Sequence, residues 1–290
     1  DPHYKQEHWC EVASVLEKRL AKMKVPKSGQ FSATHKRESV LGWLRKAYVC
    51  CGEDHKIIPL LEQEADKCRC YVALVKILLE AGKNEQARQW CVNGFNKTIK
   101  DAPGIAGQLQ TQLRELAEAE KRFDLVAAYR AEDFFGHHSE HTYEKLRKAA
   151  EKIHAWPAVR EGALAYLQTG LHPASGGSGK STWPLPAPEV KEQEAKSKFR
   201  MRSFPAREPL IEIALLEKRF DDAIAIYHDL RKIRHWGIDV EEQLAKAVAA
   251  SHPDVSLQIW LSSAEKLIGQ VKPKAYKEAA RYLLHMRRVY

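Results

Sequence analysis

Apolar residues recur at i, i+3, i+4 and i+7 through almost every segment of the chain, and the alternating β-branched pattern of strands is absent. The pattern predicts an all-α protein with helices over about 4–23, 37–51, 54–66, 67–81, 84–99, 105–120, 123–135, 140–153, 156–170, 208–218, 220–235, 239–250, 254–268 and 273–290. Within that run the string Glu-Lys-Arg-Phe-Asp occurs twice, at 120–124 and 217–221, each time between two apolar helical stretches. A turn reused between helices is the mark of a repeated helix pair.

Four turns fall into one frame. Gly82, Lys121, His154 and Lys218 open it; Asn84, Phe123, Trp156 and Phe220 stand two residues on. A small apolar residue follows three further on, at Ala87, Val126, Val159 and Ala223. Ten residues before it stand Ile77, Leu116, Ala149 and Ile213. This grammar predicts tetratricopeptide-like helix pairs stacked in a curved α-solenoid. The small residue would let the second helix approach the first, and Phe123 and Phe220 would plug the junctions. The full set of small residues of the tetratricopeptide pattern is missing.

Residues 172–206 break the pattern. They are rich in Gly, Ser and Pro, then in charge, and read as a linker or surface excursion that Trp183, Pro184 and Leu185 pin back. The expected organisation is N-terminal repeats over 1–171, the linker, and C-terminal repeats over 207–290.

The linker carries the most tempting chemistry. Ala174 to Ser181, ending Gly179-Lys180-Ser181, fits a relaxed phosphate-loop string. Phosphate binding needs a buried strand before the loop and a helix starting at the lysine. Here an amphipathic helix precedes it, and Pro184, Pro186 and Pro188 forbid the helix after it. The match is read as false, and no nucleotide cofactor is expected. His137, His138 and His141 with Asp133 offer a partial metal set at a helix junction, without a third anchoring motif. Cys68 and Cys70, with Cys91 and Asn93, offer another. Cys68 and Cys70 both fall in the helix expected over 67–81, where residues two apart diverge by about 200° and cannot share an ion without unwinding. No Ser/His/Asp or Cys/His constellation stands out, so neither an enzyme nor a bound metal is expected.

Composition narrows the rest. Of 290 residues, 44% are apolar and 29% charged, and no run approaches the ~18 apolar residues of a membrane span. A cytoplasmic protein is expected, with its six cysteines reduced. The chain begins Asp1-Pro2 and stops inside a helical pattern, as a fragment of a longer protein would. The net charge of +9 is unevenly placed. Residues 18–37 carry seven Lys/Arg and no acid, and residues 266–290 carry seven against Glu278 alone. Arg231, Lys232, Arg234, Lys274, Arg281, Arg287 and Arg288 form the candidate basic partner surface, with Trp236 and Tyr282 nearby.

Several stretches carry a resemblance: Leu74 to Gly82, Trp156 to Leu164, Trp183-Pro-Leu-Pro186, His252 to Trp260, and Ala275 to Leu283. Together they resemble the C-terminal helical region of bacterial SWIM-type zinc-finger proteins. The finger of that family, C-x-C…C-x-H, is absent here: Cys68, Cys70 and Cys91 end in Asn93. The resemblance implies an interaction module attached to a finger elsewhere in the full protein. The expected function is a non-catalytic scaffold binding a protein or peptide. The alternative is an accessory nucleic-acid-binding module.

Overall fold

The computed structural model describes residues 5–26, 31–175, 183–191, 203–233 and 240–289. Gly179, Lys180, Ser181, Arg234 and Trp236 lie outside the described residues. The described residues form fourteen α-helices and no strand. They are α1 (Gln6–Lys22), α2 (Phe31–Cys51), α3 (Ile57–Cys68), α4 (Tyr71–Glu80), α5 (Asn84–Thr98), α6 (Pro103–Ala119) and α7 (Phe123–Gly136). There follow α8 (Glu140–Glu151), α9 (Trp156–Thr169), α10 (Arg207–Leu216), α11 (Phe220–Ile233), α12 (Glu241–Val248), α13 (Pro253–Ile268) and α14 (Pro273–Val289). No helix among the described residues is long and apolar enough to cross a membrane.

Two boundaries depart from the sequence reading. Helix α2 begins six residues before the expected start at 37, inside the basic run. Arg37, the last cation of that run, does not face solvent: its guanidinium points inward and is buried. The other departure is at 67–71. Arg69 adopts a left-handed conformation (φ 60°, ψ 29°), so α3 stops at Cys68 and α4 restarts at Tyr71.

The chain divides into two compact units. One comprises residues 1–129 with 187–196, the other 130–186 with 197–290. In the first, consecutive helices from α1 to α6 pack on one another, and α4 also packs on α6. In the second, α8 packs on α9, consecutive helices from α10 to α14 pack on one another, and α10 meets α8, α9 and α12. The contacts α4–α6, α8–α10 and α10–α12 join helices two apart. A first helix thus touches the first helix of a neighbouring pair as well as its own partner.

The four framed turns share one backbone geometry. Gly82, Lys121, His154 and Lys218 all have positive φ, between 56° and 70°. Each closes the same two bonds. The residue's own N–H reaches back three, as in Lys121 to Glu118 and Lys218 to Leu215. The next N–H reaches back five: Lys83 to Leu78, Arg122 to Ala117 and Arg219 to Ala214 at 2.8 Å, and Ala155 to Ala150 at 3.0 Å. This pair of bonds is the Schellman ending, which satisfies carbonyls that a helix C-terminus otherwise leaves open. Three of the four sites hold a residue with a Cβ, for which the left-handed region costs about 1–2 kcal/mol.

The side chains repeat with the turns. Eight residues before each left-handed residue stands a leucine (Leu74, Leu113, Leu146, Leu210), and all four are buried. Ala87, Val126, Val159 and Ala223 are buried on the second helix of each pair. Leu116, Ala149 and Ile213 are buried as well, while Ile77 is half-buried. Phe123 and Phe220 are half-buried, so they shield the junctions without filling them. Part of the linker region is held down: Leu185 is buried, and Trp183 lies against Phe135, ring centroids 5.8 Å apart. Gly162 makes room for that indole. A Cβ there would sit 2.6 Å from the Trp183 ring.

Candidate functional site

The twin strings place their glutamates one residue before the left-handed turn, and in each copy an arginine from another helix pair reaches that carboxylate. Arg88 and Arg160 each directly follow the buried small residue of their own pair, Ala87 and Val159. Arg160 donates through Nε and Nη2 to both oxygens of Glu217, at 2.6 Å each. The Tyr143 hydroxyl donates to the same carboxylate at 2.7 Å, and Arg219 Nε at 2.8 Å. Arg88 donates to Glu120 and to Glu189, at 2.5 Å each. Tyr71 occupies the place in its pair that Tyr143 occupies in its own, eleven residues before the turn, and donates to Asp66 at 2.7 Å.

Burial separates the two copies. The Glu217 side chain is 12% exposed and that of Glu120 is 41% exposed. For Glu217, burial alone would raise the pKa, but the bonds from Arg160, Tyr143 and Arg219 together outweigh it and hold the carboxyl at about 2. Burial, then the bond to Glu217, pushes the Tyr143 phenol up. These charge-assisted bonds tie a residue at the turn of one helix pair to an arginine of another. Near Arg88, burial is the chief cause that pushes the Tyr129 phenol up and Cys91 up to about 12.

The candidate basic residues separate into two kinds. Arg231 on α11 is taken by Glu241 at 3.0 Å, and exposed Lys232 pairs with Asp229 at 2.9 Å. On α14, Lys274, Arg281, Arg287 and Arg288 are exposed, and none forms an ion pair among the described residues. Beside them lies a feature that the sequence reading passed over: Tyr276, Leu283 and Leu284 are about half exposed. The signal was present in the spacing of Tyr276, Ala280 and Leu283, which puts them on one helix face.

The possible metal sets resolve differently. Asp133 pairs with Arg130 at 3.3 Å, and the His138 ring packs against Phe134 and Tyr166. Cys68 and Cys70 do not share one helix as expected: the left-handed Arg69 breaks the helix between them, and their thiols donate to the carbonyls of Glu64 at 3.2 Å and Leu61 at 3.9 Å. Both are buried. All six cysteines are free thiols. Among the described residues, no three His, Cys, Asp or Glu side chains are grouped to hold a metal ion.

No protein-family model matches this chain, and neither a curated protein nor a solved structure matches it.

Proposed function

We propose that this chain is a non-catalytic scaffold of tetratricopeptide-like helix pairs, stacked as a solenoid, that binds a protein or peptide partner. On this reading it serves in the cytoplasm as the interaction module of a larger protein similar to the bacterial SWIM-type zinc-finger proteins. The observation that carries the proposal is the repeated turn. Four helix pairs close with the same left-handed residue and the same two bonds, which is the economy of a scaffold whose product is surface. The inward use of arginines supports it, since buried Arg37 and half-buried Arg88 and Arg160 are each matched to carboxylates within the chain.

The test is affinity capture from cell lysate with the purified chain, run with and without nuclease, followed by reconstitution with the purified candidate. A saturable complex that survives nuclease is the expected result. Recovery of nucleic acid alone would overturn it. The unpaired cations of α14 favour the second reading, an accessory nucleic-acid module. That reading expects oligonucleotide binding at low salt, falling steeply as salt rises; no gel shift at low salt excludes it.

A further inference from the structure

Helix α14 has three faces. Ala275 and Ala279 are buried, and Tyr282, Met286 and Val289 pack on the core cluster of its unit. His285 stacks on Trp260, ring centroids 5.4 Å apart. Tyr282 donates to Glu242 of α12 at 3.3 Å, which fixes the rotation of the helix about its axis. With that rotation fixed, the spacing of Tyr276, Ala280, Leu283 and Leu284 sets an apolar stripe on the outer surface. Those three large side chains are 45%, 47% and 55% exposed. The spacing of Lys274, Lys277, Arg281 and Arg288 sets a cationic stripe directly beside it. All four cations are exposed, and none forms an ion pair among the described residues.

Glu278 is the one carboxylate of α14 against five Lys/Arg, and an exposed leucine pair flanked by that cationic excess has a specific complement. We propose that α14 is a docking face for an acidic amphipathic helix, whose apolar side covers Tyr276, Leu283 and Leu284 while its carboxylates pair with Lys277, Arg281 and Arg288. The proposal rests on the scaffold reading and names its partner class. Apolar residues spaced by three and four, as Tyr276, Ala280, Leu283 and Leu284 are, are what one helix presents to another, and charges flanking such a seam select the partner. A second copy of this chain is a poor occupant, because it would bring the same cationic row against itself in a chain of net charge +9. Nucleic acid would use the cations but leaves both leucines without a role. Its bases stack on aromatic rings, and only Tyr276 in the exposed stripe offers one.

Fluorescence anisotropy with the full chain tests this, using three labelled probes. One is a leucine-faced helical peptide of about 18 residues flanked by glutamate, long enough to lie along the whole helix. The second is its lysine-flanked twin, and the third a single-stranded oligonucleotide. The glutamate peptide is expected to bind at least about tenfold more tightly than its twin. Leu283→Ser with Leu284→Ser, and separately Lys277→Glu with Arg281→Glu, should each weaken it by about tenfold or more, with unchanged far-UV circular dichroism. Binding that ignores the leucine substitutions, or binding of the oligonucleotide alone, overturns the proposal. Hydrogen exchange on the unsubstituted chain gives a readout free of folding effects: added peptide should protect α14, and protection confined to other helices overturns the docking face. Should lysate capture succeed while all of these fail, the scaffold reading stands and only the α14 face is lost.

Discussion

Glu64→Ala should lower the unfolding free energy by about 3–5 kcal/mol, the largest loss expected from any single charge among the described residues. Arg37 Nε donates to one Glu64 oxygen at 2.5 Å and Nη2 to the other at 2.9 Å, while Nη1 caps the Met23 carbonyl at 2.9 Å. The two side chains are only 4% and 5% exposed. Removing the carboxylate strands a guanidinium where water cannot reach it, and the cost is that orphaned charge more than the lost bonds. Arg37→Ala should cost a similar amount for the mirror reason, although Lys67, 2.8 Å from Glu64, softens it. Arg37→Met with Glu64→Leu should recover most of the loss, because neither change then leaves a charge behind. Urea unfolding of the three variants reads this directly. A loss from Glu64→Ala below about 1 kcal/mol would mean that the pair is solvated.

The second large effect separates the twin strings. Glu217→Gln should destabilise by about 2–3 kcal/mol, below the full buried-pair cost because Arg160 and Arg219 are each a third exposed. The equivalent Glu120→Gln should cost less than about 1 kcal/mol, since Glu120 lies nearer to solvent. The same asymmetry gives a pH dependence. The Glu217 carboxyl is depressed in the folded chain from its ordinary 4.5 to about 2. The unfolded chain therefore takes up the proton first as pH falls. The contribution of Glu217 is fully present above about pH 4.5 and is lost as pH falls toward about 2. The stability gap between the parent and Glu217→Gln should close over that window. A gap independent of pH would contradict the assigned network.

The repeat frame was legible from the sequence because it rests on spacing. Residue type alone would have missed it, for only Gly82 of the four left-handed residues announces itself; Lys121, His154 and Lys218 look like ordinary helix-end cations. The buried leucine eight residues earlier went unseen for the opposite reason: leucine is so common in helices that one more carries no signal. The role of Glu217 was hidden by distance. Its main partner, Arg160, lies 57 residues away, beyond the Gly/Ser/Pro-rich segment, and no local pattern links them. Phe123 and Phe220 drew attention as the bulky members of the twin string, yet both are half-buried, and in the second copy the glutamate makes the stronger attachment. Arg69 misled in the same way, because a left-handed arginine between two cysteines is invisible to helical periodicity. On α14, counting cations found the right helix, but only exposure showed that apolar side chains share its outer surface with them.

The shared turn is the claim from which the pairing of helices follows, and a glycine scan tests it most directly. Lys121→Gly, His154→Gly and Lys218→Gly each remove a Cβ from a left-handed residue, against the greater freedom of glycine in the unfolded chain. Lys121, His154 and Lys218 are exposed, so little packing is lost with the side chain. Each substitution should raise the unfolding free energy by about 0.5–1 kcal/mol, measured by urea denaturation. A uniform loss of about 1 kcal/mol, the ordinary cost of glycine inside a helix, would contradict the common left-handed ending at these three sites.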